Sequence, residues 1–67
     1  MKVIYFGTTK YLVEQEENDR HGITAMNIVS ADGDQYLVAT KDIKETYWLL
    51  SNGQRFEDCD VCIREEI

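Results

Sequence analysis

The chain has 67 residues, 13 of them acidic and 7 basic, for a formal net charge of −6. That length allows one domain, spanning residues 1–67, with a small core and little depth for an enzyme cleft. The acidic balance and the scattered lysines and arginines argue against direct nucleic-acid binding, and no apolar run approaches the ~18–20 residues of a membrane span.

An apolar fraction of 43% with 30% charge suits a folded domain rather than a disordered tail. The opening apolar run is too short for a signal peptide and has no cleavage site after it. Two cysteines are fewer than a small secreted domain usually carries. The expected compartment is the cytosol.

Lys2–Phe6 is a continuous apolar run rich in β-branched and aromatic residues, as in a central strand. Gly7-Thr8-Thr9 interrupts it, and Lys10–Gln15 resumes with Tyr11, Leu12 and Val13. A hairpin is favoured over one strand bent at a glycine bulge. Glu16–Gly22 is polar and reads as a loop. Ile23–Ala31 alternates, with Ile23, Ala25 and Val29 on one face and Met26 and Ile28 on the other. Asp32-Gly33-Asp34 is a turn signal, and Gln35–Thr40 is strand-like, so these runs form the clearest hairpin in the chain.

Lys41–Gly53 decides the fold class. Asp42 with Glu45 forms a variant capping box, Ile43, Tyr47 and Leu50 share one helical face, and Asn52-Gly53 suits a left-handed C-cap. These signals predict a helix over 42–52. The rival reading is a strand Thr46–Ser51, an Asn-Gly turn, and a second strand Gln54–Asp58. Phe56 is a core plug, and Cys59–Ile67 alternates as a half-buried strand. The predicted architecture is therefore α+β: an antiparallel sheet of four to five strands with one helix packed on one face.

The run from Tyr36 (YLVATKDIKETYWLLSNG) followed by CDVCIREEI reads as strand, polar step, amphipathic helix, glycine stop and acidic strand. This pattern, over residues 35–67, is similar to that of several very small phage and mobile-element proteins. Among them are some anti-CRISPR proteins and a short phage inhibitor of bacterial RNA polymerase. The resemblance implies a surface that occupies a host protein, and it transfers no functional residue.

Cys59-Asp60-Val61-Cys62 is a C-x-x-C. A structural zinc site needs about four ligands, and only His21 and carboxylates remain to complete one. A redox pair opens a helix, whereas this one falls in a predicted strand among acids. The expectation is two reduced thiols, Cys59 buried and Cys62 near the surface, with no cofactor; Cys59, Cys62 and His21 form the alternative metal set. Asp32-Gly33-Asp34 lacks the further ligands of a calcium loop. No nucleophile–base pair or phosphate loop is present, so a non-enzymatic role is expected.

Tyr47, Trp48, Leu49 and Leu50 are four consecutive large apolar residues. On a helix they cannot all face the core, so Trp48 is expected to be partly exposed and, with Tyr47, to anchor a partner. Glu57, Asp58, Asp60, Glu65 and Glu66 are expected to present charge along one strand. The ~6.6–7 Å repeat of same-face strand residues lies near the phosphate spacing of a nucleic-acid strand. The functional expectation is an acidic phage or mobile-element inhibitor that occupies a basic or nucleic-acid-handling host surface, by possible nucleic-acid mimicry. A self-assembling homodimeric module is the second expectation, from unpaired sheet edges.

Overall fold

The computed structural model describes residues 1–67. The chain forms seven strands: β1 (Lys2–Phe6), β2 (Thr9–Asn18), β3 (Ile23–Ser30), β4 (Tyr36–Asp42), β5 (Tyr47–Leu50), β6 (Arg55–Glu57) and β7 (Val61–Glu65). A 3-10 turn, Asp58–Asp60, joins β6 to β7. All neighbours pair antiparallel, in the order β6-β5-β4-β3-β2-β1-β7.

That order places the consecutive strands β6 and β7 at opposite edges of the sheet. Flat, the edges would lie about 29 Å apart, six strand spacings of about 4.8 Å. The link from Glu57 to Val61 reaches about 14 Å when fully extended. The sheet must therefore curl until its edges approach, and it forms a half-barrel. Two backbone bonds pin the joint: Asp58 N–H donates to Thr46 O at 2.9 Å, and Gly7 N–H donates to Asp60 O at 2.8 Å.

The concave side holds the core. Ile4, Phe6, Tyr11, Met26, Ile28, Ala39, Trp48 and Leu50 form one buried cluster, with Val13, Leu37, Phe56 and Val61 packed against it. Phe6 is its hub, with ring centroids 5.9 Å from Tyr11, 5.9 Å from Trp48 and 5.3 Å from Phe56. Trp48 and Phe56 come from strands four and five places away from β1 in the sheet order, so these contacts span the concavity. On the opposite face Val3, Leu12 and Val29 are cross-strand neighbours, and Val3 and Val29 are also buried. That double burial is why β1 reads as apolar on both sides.

The predicted helix over 42–52 is absent, and the fold is all-β rather than α+β. The stretch is a turn, Ile43–Thr46, followed by β5 and the Asn52-Gly53 hairpin into β6, as the rival reading has it. The apparent helix cap is turn chemistry: Lys44 N–H donates to Asp42 Oδ1 at 3.0 Å, and Glu45 N–H to Asp42 O at 2.9 Å. Burial follows a period of two, with Trp48 and Leu50 inward and Tyr47 and Leu49 outward. The sheet has seven strands, not four to five. β2 also runs through Asn18, into the expected loop, after a bulge between Val13 and Gln15.

Candidate functional site

The acidic residues singled out in the sequence do not lie on one strand. Glu57 ends β6, Asp58 and Asp60 sit on the 3-10 turn, Glu65 ends β7 and Glu66 follows it. Even phosphate-like spacing is therefore absent. Most of these carboxylates also have a cation within the chain. Glu57 pairs with Arg55 at 3.3 Å, Asp58 with Lys41 at 3.4 Å, Glu65 with the N-terminal amine at 3.5 Å and Glu66 with Lys10 at 2.7 Å. The Lys10 ammonium holds the Glu66 carboxyl below its ordinary pKa, and Glu66 in turn raises that of Lys10. Asp60 forms no ion pair.

Trp48, expected to be partly exposed, is 6% exposed and belongs to the core. Alternation along β5 turns Leu49 outward instead, at 44% exposure. Tyr47 is half-buried, with the Arg55 guanidinium 3.8 Å from its ring centroid. Cys59, expected to be buried in a strand, is exposed on the 3-10 turn. Cys62 is exposed on β7, where Arg64 Nε donates to its Sγ at 3.4 Å. His21 lies in the β2–β3 turn, and no group of three or more His, Cys, Asp or Glu side chains is gathered as a metal site requires.

What the structure does bring together is a depression on the convex face of β3, β4 and β5. It has a volume of about 140 Å³ and is lined by Ile23, Thr40, Lys41, Asp42, Glu45, Tyr47 and Leu49. The floor is apolar and the rim carries two carboxylates. The turn that supplies the rim is fixed in two ways. Asp42 closes it on itself, and Ile43 N–H donates to Gly22 O at 2.9 Å, tying it to the β2–β3 turn. Glu57 is the cross-strand partner of Tyr47 and so shares its face, but neither it nor Asp58, the ion-pair partner of Lys41, belongs to the lining. Ile43, 74% exposed, stands on the same turn.

The hairpin reading of residues 46–58 carries the signal for this site. It puts Tyr47 and Leu49 on one face. A two-residue Asn-Gly turn would set Tyr47 opposite Asp58; the three-residue turn over 51–53 shifts the register by one and brings Glu57 there. Ile23 was read as an ordinary strand residue, because its apposition to Asp42 depends on the β3–β4 register. A second depression, of about 310 Å³, lies among Thr9, Tyr11, Ser30, Asp32, Asp34 and Gln35. There the Ser30 hydroxyl and the Asp34 N–H hold the Asp32 carboxyl below its ordinary pKa.

No protein-family model matches this chain, and neither do curated proteins or solved structures. The class the fold and site define is thus a small, acidic, all-β protein built on a half-barrel. No helix is long and apolar enough to cross a membrane.

Proposed function

We propose that this protein is a non-enzymatic binding module that occupies a basic or nucleic-acid-handling surface of a larger protein. One observation carries the reading. Exposed apolar side chains, Ile43 and Leu49, stand on the β4–β5 hairpin with Asp42 and Glu45, Glu57 lies across the ladder from Tyr47, and Asp58 N–H is bonded to Thr46 O. An apolar centre with a charged rim is the usual anatomy of a protein interface. Backbone bonds hold the 3-10 turn, so its carboxylates are displayed at little ordering cost on association. The free thiols Cys59 and Cys62 suit a reducing compartment, and cytosolic residence is part of the proposal. The narrower role of a phage or mobile-element inhibitor leaned on a helix that is absent, and no residue now carries it.

The test compares proteins captured from a bacterial lysate by three forms. These are the wild type, an E57K/D58K/D60K variant and an E14K/E17K/D34K control with the same change in net charge. The reading expects basic proteins to be retained by the wild type and the control and lost by the first variant. Equal retention by all three, or equal loss from both variants, contradicts it.

A second reading is self-association through β7. Its outer edge has no ladder partner, and Ile63 on that strand is exposed. Sedimentation at high micromolar concentration decides this: a dimer supports it, and a monomer removes it.

A further inference from the structure

We infer that the depression on the convex face of β3–β4–β5 receives one arginine side chain of the partner protein. The inference rests on the reading of the protein as a binder of basic protein surfaces. Size comes first. An apolar cavity of about 150 Å³ accommodates a benzene ring, so 140 Å³ fits one side chain rather than a cofactor or a peptide segment. The floor, Ile23, Leu49 and the Tyr47 ring, suits an aliphatic stem. The rim suits a cation. Asp42 engages the turn through Oδ1 alone, and the Glu45 carboxylate makes no hydrogen bond or ion pair within the chain. Lys41 also lines the depression, but its ammonium lies 3.4 Å from Asp58 Oδ2. The lining therefore holds two carboxylates, Asp42 and Glu45, and one cation that is already paired outside it.

Tyr47 selects arginine over lysine. Arg55, on the β6 side, covers one face of the ring at 3.8 Å and is not part of the wall of the depression. The wall is drawn from β3, β4, β5 and the intervening turn and includes Tyr47 but not Arg55, and we take the ring face away from Arg55 as the one offered to a ligand. A planar guanidinium stacks on that face while its fork reaches a carboxylate; an ammonium does only the second well. The fold already contains this contact once, in Arg55 over Tyr47 with Glu57 accepting from Nη2.

The experiment is an NMR titration of the ¹⁵N-labelled protein with acetyl-Gly-Arg-Gly-amide, alongside lysine and citrulline counterparts. Citrulline keeps the shape and removes the charge. Saturable shifts are expected for the arginine peptide at Ile23, Thr40–Glu45, Tyr47 and Leu49. The lysine peptide should bind several-fold more weakly, and the citrulline peptide should not saturate. E45Q and Y47L should each weaken arginine binding about two- to fivefold, and E17Q should leave it unchanged, with amide dispersion reporting that each variant is folded. No saturable shift, equal binding of citrulline, or shifts spread equally over Glu14, Glu17 and Asp34 would overturn the inference.

The two proposals fail separately. If the peptide binds here but E57K/D58K/D60K still captures the same proteins, the functional reading falls and the pocket stands. If capture depends on those acids while the peptide produces no shifts, the pocket falls and the reading stands.

Discussion

Phe6 and Trp48 carry the curl of the sheet, because each brings to the other a strand that is not its neighbour. Truncating a buried large aromatic costs about 3–5 kcal/mol. A domain of this length has roughly 3–10 kcal/mol in total, so Phe6→Ala should be largely unfolded without denaturant. Urea melts followed by the fluorescence of the single tryptophan, Trp48, check this. Leu49→Ser, one position along the same strand, should cost only about 1 kcal/mol because that side chain is half-exposed on the convex face. The helical reading expected Trp48, with Tyr47, to be exposed; the strand period buries Trp48 and turns Tyr47 and Leu49 outward.

Asp19 shows a residue whose role the sequence hid. Its carboxylate accepts from Ile23 N–H at 2.9 Å and His21 N–H at 2.8 Å, and these bonds hold its pKa below the ordinary aspartate value. The unfolded chain therefore binds this proton more readily than the folded one. The stabilisation is present above the unfolded pKa of about 3.9 and is lost as pH falls through the lower folded value. Melting temperature should drop with acidification below about pH 4 more steeply in the wild type than in Asp19→Asn. Parallel curves would mean that the carboxylate contributes nothing. From sequence, Asp19 was one acid in a polar loop, since its bonds exist only once β2 and β3 are paired.

Among the elements, the hairpins were legible where a turn signal stood between two apolar runs. Asp32-Gly33 joins β3 to β4, and Gly7-Thr8 joins β1 to β2, as expected. Residues 42–52 were not legible, because each helix signal there has an equal use in a hairpin. An aspartate that caps a helix also closes a tight turn, and a glycine at positive φ ends a helix or turns a hairpin. Gly53, at φ +93°, does the second. What separated the readings was the aromatic, strand-favouring run Tyr47-Trp48, which the 3.6-residue pattern outweighed. Far-UV circular dichroism should accordingly lack a helical 222 nm band.

Two glycines test the turns by contrast. Gly22 has φ +89°, and a methyl group there would collide with the Ile43 side chain, whereas Gly53 faces open space. Gly53→Ala carries backbone strain alone, about 1 kcal/mol. Gly22→Ala adds the clash and should cost more, about 1–3 kcal/mol. At about 4–8 °C per kcal/mol for a domain this size, thermal melts separate them. Equal shifts would mean that the Ile43 contact yields freely.

At the scale of the molecule, composition made the excess of acid and the single small domain legible but not the closure. The closure follows from β7 pairing with β1 across a three-residue link, a long-range choice that no local pattern records. It also redistributes the charge. Glu65 and Glu66 are paired at one end of β7, whereas at the joint Glu57 and Asp58 are paired with Arg55 and Lys41 and Asp60 has no cation. A binding surface that is acidic at one place rather than everywhere should steer a basic partner in a salt-dependent way, since exposed charges are screened within about 8–10 Å.

The association rate with a captured basic partner, measured by stopped flow from low to physiological salt, tests this most directly. The wild type and E14K/E17K/D34K should both associate several-fold more slowly as salt rises. E57K/D58K/D60K should be slow and nearly indifferent to salt. A wild-type rate that does not change with salt, or the same salt slope in all three proteins, would contradict the assignment of that acidic joint as the docking surface.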